Sequence, residues 1–356
     1  MNNLGQGKNN RQVAIWLLIG VGMIMIQVLL GGITRLTESG LSITEWKPIT
    51  GALPPLDNAA WQIEFEKYRH TDQFKYVHQS FSLSDFKSIF FWEWAHRLWA
   101  RLMGLVFLAG FIYFLLRKKF NRSMIMPMVV LFILGALQGA IGWIMVKSGL
   151  VPEKYFVGHV ELTVHFIAAL ILLGYTLWFA LGLLPSMKQH IYQSGLKNII
   201  LFMLLILFFQ LIYGGFMAGL KAAVTAPTWP DINGQAFPSA FNELSPWIQN
   251  LVRNKLAIHF IHRGLAYLLF LIVCLFYFRS GNINGNPAFK KLRTVLPVLI
   301  ILQVMLGIFT VLNAANNHYF IWLGVFHQFT AMLLFICIIS LVYVVRKKAP
   351  AGNSYF

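Results

Sequence analysis

The stretch FFWEWAHRLWAR, residues 90–101, opens a long apolar run that continues as LMGLVFLAGFIYFLL. The run is long enough to cross a bilayer, because about 20 apolar residues in a helix span the hydrocarbon core. An acid, a histidine and two arginines nevertheless stand in its first turns: Glu93, His96, Arg97 and Arg101. Ionisable side chains are costly in lipid, so these four indicate partners or a function inside a helix bundle.

The rest of the chain repeats this apolar pattern. Its 356 residues are 58% hydrophobic and 12% charged, which is too apolar for a soluble domain. Eight runs are long enough to span a membrane, at about 13–34, 90–116, 124–146, 157–184, 197–220, 256–278, 294–313 and 320–345. We therefore predict an all-α membrane protein with eight transmembrane helices.

The distribution of charge predicts the orientation. With the amino terminus in the cytoplasm, the segments on that side hold fifteen Lys or Arg and no acid: 1–12, 117–122, 187–197, 278–293 and 346–356. Cytoplasmic loops carry such an excess, so both termini are expected inside and the long loops 35–89 and 221–255 outside. The net charge of +17 thus indicates orientation. A nucleic-acid partner is not expected, because no basic face with stacking aromatics lies outside lipid.

The amino-terminal residues MNNLGQGKNNRQ indicate the compartment. They contain no signal-peptide cleavage site, and the apolar run that follows is long enough to span. They also lack the Arg- and Ser-rich pattern of a transit peptide, which favours a bacterial plasma membrane. The two cysteines, Cys274 and Cys337, fall in the inner halves of predicted helices, so no disulfide is expected in the outer loops.

An internal repeat relates the two halves of the chain. Predicted helices 1, 3, 5 and 7 each carry Gln, three residues and then Gly near the outer end: Gln27/Gly31, Gln138/Gly142, Gln210/Gly214 and Gln303/Gly307. Helices 2, 4, 6 and 8 each carry a histidine near that end: His96, His165, His262 and His327. The pattern predicts two four-helix bundles, 1–186 and 187–356, related by a pseudo-twofold axis along the membrane normal.

The four matched histidines predict one site in each bundle. Any one of them could simply hydrogen-bond between helices, and that alternative stays open. Two histidines that face each other across a bundle supply the axial ligands of a six-coordinate haem iron. A zinc site needs three or four ligands, whereas each bundle offers two histidines and one neighbour, Glu93 in the first and His259 in the second.

Glycines and arginines near these histidines fit a haem but also fit simpler roles. The repeat glycines would let a flat macrocycle approach the backbone, and small residues also pack membrane helices together. Arg35, Arg97 and Arg263 lie near the outer level, where haem propionates would point. Arginines at an interface also extend towards water without any ligand, so both interpretations are kept.

Features outside the repeat carry weaker predictions. In loop 35–89, the stretch LPPLDNAAWQIEFEKYRH is compatible with a short surface helix. His159 and Glu161 begin the fourth predicted helix and receive no role. The remaining histidines fall in loops or at a boundary and are expected to be solvated: His70, His78, His190 and His318.

Five stretches resemble the haem A synthase family. They are GGITRLTESGLSITEWKPITGALPPL, FFWEWAHRL, FMAGLKAAVTAPTWPDINGQAFP, HFIHRGLAYLLF and FHQFTAMLLF. The resemblance covers nearly the whole chain and follows the branch with a long first outer loop, shared by proteobacterial and mitochondrial members. It implies an oxidoreductase that converts haem O to haem A for cytochrome oxidase assembly. In that reaction the C8 methyl group is oxidised twice to a formyl group, with water as the expected oxygen source.

The resemblance also implies a division of labour between the bundles. The second would hold haem b as cofactor through His262 and His327, with Arg263 beside it. Haem O would bind in the first, where the implied residues are Glu93 as catalytic acid and His96, His165 and Arg97 as haem-binding groups. Some family members carry a cysteine pair in an outer loop, which this chain lacks. His259 is a further departure, as a third histidine that could compete as ligand or serve electron transfer.

The residues alone also favour a special role for Glu93. It precedes His96 by three residues, so both side chains point to one helix face. Arg97 stands four residues after Glu93, and a plain ion pair between them stays open. The matching Arg263 has no acid at this position, where His259 stands instead. An acid is thus not needed to hold the arginine, which favours Glu93 as a proton acceptor in a reaction.

Two other classes of function remain open. One is a di-haem b-type cytochrome that moves electrons from a quinol to a partner, and the other is a haem transporter or chaperone. The sequence leaves open the electron acceptor and whether the chain forms a homo-oligomer. It also leaves open whether a haem O synthase or oxidase assembly factors dock on the chain.

Overall fold

A computed structural model of the chain describes residues 2–45, 50–187, 189–283 and 286–346. Part of the first family motif, residues 46–49, lies outside the described residues. The carboxy-terminal tail, 347–356, also lies outside them. The predicted cytoplasmic position of that tail stays a prediction.

Eight helices of the described chain are long and apolar enough to cross a membrane, which confirms the predicted number. They are α1 (Asn2–Leu36), α2 (Leu83–Leu116), α3 (Arg122–Gly149), α4 (His159–Leu183), α5 (Ser194–Gly219), α6 (Lys255–Arg279), α7 (Pro287–Leu312) and α8 (Asn317–Val344). The residues described form no β-strand. The all-α membrane fold is therefore confirmed.

Helix α2 begins seven residues before the apolar run that predicted it, because capping sets its start. The Ser82 side chain accepts a hydrogen bond from the Asp85 backbone N–H, and the Asp85 side chain accepts one from the Ser82 backbone N–H. This reciprocal cap satisfies donors that the first turn leaves free. Hydropathy marks the part of a helix in lipid, whereas the cap extends α2 beyond the membrane.

The first outer loop folds onto the outer end of α2. A helix spans Asn58–Arg69, which confirms the predicted surface helix. Tyr68 and Trp61 of this helix pack on Phe86 and Phe90 of α2, with ring centroids 5.3 Å apart for Tyr68 and Phe86 and 5.0 Å apart for Trp61 and Phe90. Buried aromatic pairs of this kind hold the loop as a cap over the first bundle.

The helix contacts follow the predicted repeat. Helix α1 packs against α2 and α4, and α3 packs against α4; in the second half α5 packs against α6 and α8, and α7 against α8. The halves meet through α1 with α8, α4 with α5 and α4 with α8. Helices α1, α4, α5 and α8 form the buried centre, because their spans have the largest buried share. The pseudo-twofold axis and the boundary at 186/187 stay predictions.

Two Gly-Gly pairs let the halves approach each other. Gly32 of α1 lies directly against the Gln328 side chain of α8, where any Cβ would clash. Gln328 in turn donates to the Val28 carbonyl oxygen at 3.1 Å. In the matching pair, a Cβ on Gly215 of α5 would come 2.6 Å from Oγ1 of Thr163 on α4. The second glycine of each pair therefore permits close contact between the halves.

The orientation can be tested by cysteine labelling in a background in which Cys274 and Cys337 are replaced by Ala. Leu56 in the first loop is 82% exposed, and Ser123 is exposed at the other end of the bundle, at the start of α3. A membrane-impermeant maleimide should label Leu56→Cys in intact cells, and should label Ser123→Cys only after permeabilisation. The reverse pattern would contradict the predicted orientation.

Candidate functional site

The four matched histidines line one cavity of about 1040 Å³ among the helices. The four repeat glutamines and the glycine paired with each also line it. The cavity therefore joins the outer parts of both bundles. The repeat predicted from sequence brings these side chains to one internal space, within which each bundle contributes its own histidines: His96, His165, His262 and His327.

The histidines of the second bundle face each other. The ring centroids of His262 and His327 are 6.5 Å apart, and the ring planes cross at 69°. Two imidazoles on opposite sides of one metal ion, each bonded at about 2 Å, would have centroids roughly 6 Å apart. The pair therefore fits two axial ligands of one iron.

The repeat glycines make room for the histidine rings. A Cβ on Gly142 would lie 2.8 Å from Cε1 of His165, and one on Gly307 would lie 3.0 Å from Cε1 of His327. A Cβ on Gly31 would lie 3.3 Å from Nε2 of His96, whereas one on Gly214 would lie 3.5 Å from Cε1 of His262, which is an ordinary van der Waals contact. Glycine thus gives room to the imidazole at Gly31, Gly142 and Gly307, while the approach of a macrocycle to the four glycines stays a prediction.

The repeat glutamines contact the histidine ring nitrogens. The amide nitrogen of Gln138 lies 3.3 Å from Nδ1 of His165, and that of Gln303 lies 3.1 Å from Nε2 of His327. Gln210 approaches Nε2 of His262 at 3.4 Å. A hydrogen bond to one ring nitrogen fixes the orientation of an imidazole and leaves the other nitrogen for a ligand.

Several polar atoms around the cavity have no partner among the described residues. They are buried side-chain atoms of three kinds: the Nδ1 atoms of His259, His262 and His327, the Oε1 atoms of Gln27, Gln138, Gln210 and Gln303, and Nε of Arg35. Leaving a buried polar atom without a hydrogen bond costs about 1–3 kcal/mol. Two free ring nitrogens in a facing pair fit the donor set that a haem iron takes.

Glu93 is buried, and three donors hold its carboxylate. Oε2 accepts hydrogen bonds from the Ser42 hydroxyl at 2.7 Å and the Ile43 backbone N–H at 2.8 Å. Oε1 accepts one from Arg97 at 2.5 Å. Glu93 also lines the cavity together with His96. The carboxylate thus anchors the first outer loop and at the same time borders the space of the first bundle.

Arg263 of the second bundle donates a hydrogen bond to His259, as Arg97 of the first bundle does to Glu93. Its Nε donates to Nε2 of His259 at 3.1 Å. The guanidinium also donates to the carbonyl oxygens of Asp231 at 2.7 Å and Thr228 at 2.6 Å. An acid is indeed not needed to hold Arg263, but a neutral imidazole supplies the acceptor instead. The arginine comparison therefore gives less support to a special role for Glu93 than the sequence indicated.

The arginines expected near haem propionates hold the outer loops. Arg97 donates to the carbonyl oxygens of Ile43 at 3.1 Å and Glu45 at 3.4 Å. Arg35 donates to the carbonyl oxygen of Gly219 at 3.0 Å. Both arginines and Arg263 also line the cavity. A contact with propionates stays a prediction for all three.

A buried polar cluster joins the outer loops of the two halves. His78 is 6% exposed, with Nδ1 at 2.7 Å from the Tyr68 hydroxyl and Nε2 at 3.4 Å from Glu38. Glu38 also pairs with Lys221, at the start of the second long loop. Burial alone would raise the pKa of Glu38, but hydrogen bonds from His78 and Lys221 lower it to about 2, so the carboxylate stays charged.

The expectation that His78 is solvated is therefore wrong, because the folded loop buries it between Tyr68 and Glu38. His190 is also only partly exposed, and its ring lies 5.6 Å from that of Tyr343. His70 and His318 are exposed, as predicted.

His159, for which no role was predicted, joins the two halves. Its Nε2 lies 2.9 Å from the Val252 carbonyl oxygen. The outer start of α4 is thereby tied to the second long loop. Only contacts between residues far apart in the chain reveal this role, and no local pattern in the sequence signals it.

The fold and the site define a multi-pass membrane protein with two sets of histidines around one cavity. The profile of the COX15-CtaA family, described as cytochrome oxidase assembly protein, matches residues 14–339. The chain belongs to this family.

Curated relatives cover most of the chain. A protein named heme A synthase from Flavobacterium psychrophilum is 41% identical over 332 residues, which are 92% of this chain and 96% of that protein. The heme A synthase of Flavobacterium johnsoniae is 39% identical, with 92% and 96% covered. That of Rhodospirillum centenum is 40% identical, with 91% and 86% covered.

Proposed function

We propose that this chain is a haem A synthase, which oxidises the C8 methyl of haem O to a formyl group and so supplies haem A for cytochrome oxidase assembly. The observation that carries the proposal is the facing pair His262 and His327, 6.5 Å apart, on a cavity that also reaches His96 and His165. Relatives at 39–41% identity bear that name. Its test is the haem content of a host that makes no haem A, in which the chain is expressed with and without a haem O synthase.

The reaction is an oxidation at carbon with water as the oxygen source. Conversion of a methyl to a formyl group with the oxygen of one water releases four protons and four electrons. It proceeds in two two-electron steps, with a hydroxymethyl group between them. The protons need an acceptor near the methyl group, and the electrons leave to an external acceptor. These needs define what the residues of the first bundle must supply.

The second bundle is the cofactor site for haem b. His262 and His327 would hold its iron, and Gln210 and Gln303, whose amide nitrogens lie near the ring nitrogens, would orient their rings. Arg263 closes the site on the outer side by holding the loop that contains Asp231. Bound haem b would supply one-electron transfer between the substrate and the external acceptor.

The first bundle is the substrate site. His96 and His165 bind the iron of haem O, and Gln138 orients His165. Glu93 accepts a proton from the methyl group or from the attacking water. Its position on the cavity wall supports this role, and hydrogen bonds from Ser42, Ile43 and Arg97 hold the carboxylate in place there. Arg97 holds Glu93 in place and lies at the level of the haem propionates.

The location and partners follow from the same proposal. The protein lies in a bacterial plasma membrane with both termini in the cytoplasm. The helix ends near the four histidines therefore face outwards. Haem O is apolar and tailed, which favours supply from within the membrane by a haem O synthase. A di-haem cytochrome that accepts electrons from quinol is the alternative. The relatives named heme A synthase favour the enzyme.

Loss of one axial ligand should abolish the b-type spectrum. His262→Ala or His327→Ala each leaves one ligand, so the low-spin absorbance of the purified protein should disappear. His259→Ala is the matched control, since His259 lies on the same helix but contacts Arg263. An unchanged low-spin spectrum in His327→Ala would contradict the pairing.

Glu93→Gln should stop the reaction without emptying either haem site. The amide keeps the size and removes the basic oxygen, so turnover should fall by about 100-fold or more while haem b stays bound. Haem O or its hydroxymethyl form should accumulate, as measured by chromatography of extracted haem. Ser42→Ala is the control, because it removes one hydrogen bond to Glu93 and keeps the charge, at a cost of about 1 kcal/mol.

Normal production of haem A by Glu93→Gln would exclude the catalytic role and leave the ion pair with Arg97 as the function of Glu93. Equal losses of activity and stability in Glu93→Gln and Ser42→Ala would also exclude the catalytic role, since both variants loosen the first outer loop.

A further inference from the structure

The two bundles differ along one wall. In the second bundle α6 packs closely against α7, whereas the backbones of α2 and α3 do not approach each other to the same extent. Phe132 of α3 bridges the inner part of this wall, with its ring centroid 4.9 Å from that of Phe107 and 5.0 Å from that of Phe111 on α2. Aromatic rings therefore close the cytoplasmic part of this wall. The part of the wall nearer the outer side is open.

The internal repeat identifies the residues that open the wall. When Gln138 is aligned with Gln303, Gly135 corresponds to Ile300 and Gly139 to Val304. Aligning His96 with His262 pairs Gly104 with Phe270 in the same way. The first bundle thus has glycine at three positions where the second has a bulky side chain.

The three glycines stand in open space. A Cβ at Gly104, Gly135 or Gly139 would meet no atom within 4 Å. By contrast, Ile300 is 2% exposed in the second bundle. No close contact therefore requires these glycines, unlike the repeat glycines beside the histidines. These glycines leave an empty space between α2 and α3.

The open wall connects the cavity to the membrane. Gly104, Gly135, Ala136 and Gly139 line the cavity that holds the four histidines. Gly135, Ala136 and Gly139, with Ala140 and Trp143, also line a separate, shallower groove of about 340 Å³. Four residues thus border both spaces, Gly135, Ala136, Gly139 and Trp143, and four of the five in the groove are Gly or Ala.

We propose that the gap between α2 and α3 is a lateral opening to the bilayer that takes the prenyl tail of haem O. This inference rests on the proposed function and names the part of the substrate that the site accommodates. The tail lies on the haem edge opposite the propionates. With the propionates at the outer surface near Arg97, that edge points inwards, towards the level of Gly104 and Gly139.

The tail of haem O also explains why only the first bundle is open. Haem b carries a short vinyl group in place of the tail, so its site needs no gap. Phe270, Ile300 and Val304 then fill the wall of the second bundle. A tailed substrate that enters and leaves through the membrane requires small side chains in this wall, and glycine is the smallest residue.

The test installs the residues of the second bundle in the first. Gly104→Phe, and separately Gly135→Ile with Gly139→Val, should weaken haem O binding to the first bundle by roughly tenfold or more, because the added side chains occupy the space of the tail. Binding of haem b, added as a tailless probe, should stay within about twofold. Both are measured by optical titration of purified protein whose second site is filled.

Leu137→Phe is the matched control. Leu137 is 51% exposed on the same helix and borders neither the cavity nor the groove. It should change neither affinity. The spectrum of the second bundle reports correct folding of every variant. If the bulky variants fail to fold, titration of the unaltered protein decides: haem O should bind the first bundle roughly tenfold tighter than haem b, and equal affinities would overturn the proposal.

Other outcomes also contradict the opening. Unchanged haem O affinity in the folded variants would exclude it, as would equal loss of haem O and haem b. Variants that lose bound phospholipid but keep haem O affinity would assign the gap to a lipid acyl chain. Binding is measured apart from turnover, so an unaltered protein that binds haem O without converting it would refute the proposed function and leave the opening to be judged by the titrations.

Discussion

The structure depends on one constraint: hydrocarbon offers no hydrogen bonds, so an imidazole inside the bilayer must be satisfied by protein or by a ligand. The Gln-x₃-Gly repeat provides part of the contacts that these imidazoles require. Gly31, Gly142 and Gly307 each give one histidine ring the room to lie against a neighbouring helix, and Gln138, Gln210 and Gln303 contact a ring nitrogen. The remaining nitrogens of His262 and His327 are buried without a partner in the described chain, and the iron of the proposed haem b would satisfy both.

Duplication of this unit allowed the halves to diverge at a few positions. The interaction of α2 with its outer loop and that of α6 with its own are built alike, with an arginine that binds loop carbonyls and an acceptor one turn before it. The acceptor is Glu93 in the first bundle and His259 in the second. A second divergence replaces Phe270, Ile300 and Val304 by glycines. One half is thus acidic and open to lipid, and the other is neutral and closed, as expected for a reacting substrate and a resident cofactor.

Features that depend on local sequence could be predicted, and those that depend on distant contacts could not. The eight helices, the Asn58–Arg69 helix and the matched histidines of the two bundles follow from hydropathy and the repeat. The sequence predicted one site in each bundle, and the single cavity that all four histidines line was not predicted. The burial of His78 arises from a loop that folds back onto α2. The donors to Glu93 come from Ser42 and Ile43, about 50 residues away. The gap between α2 and α3 becomes visible only when backbone separation is known, although the glycines that form it can be read in the aligned repeat.

The most direct test of the account is the haem content of a host that makes no haem A of its own. The chain is expressed there with and without a haem O synthase, and the haems are extracted and separated by chromatography with mass detection. We expect haem A, together with haem b on the purified protein, only when haem O is supplied. Haem b alone, with haem O left unconverted in cells that contain the folded protein, would contradict this expectation and would favour a cytochrome that only transfers electrons.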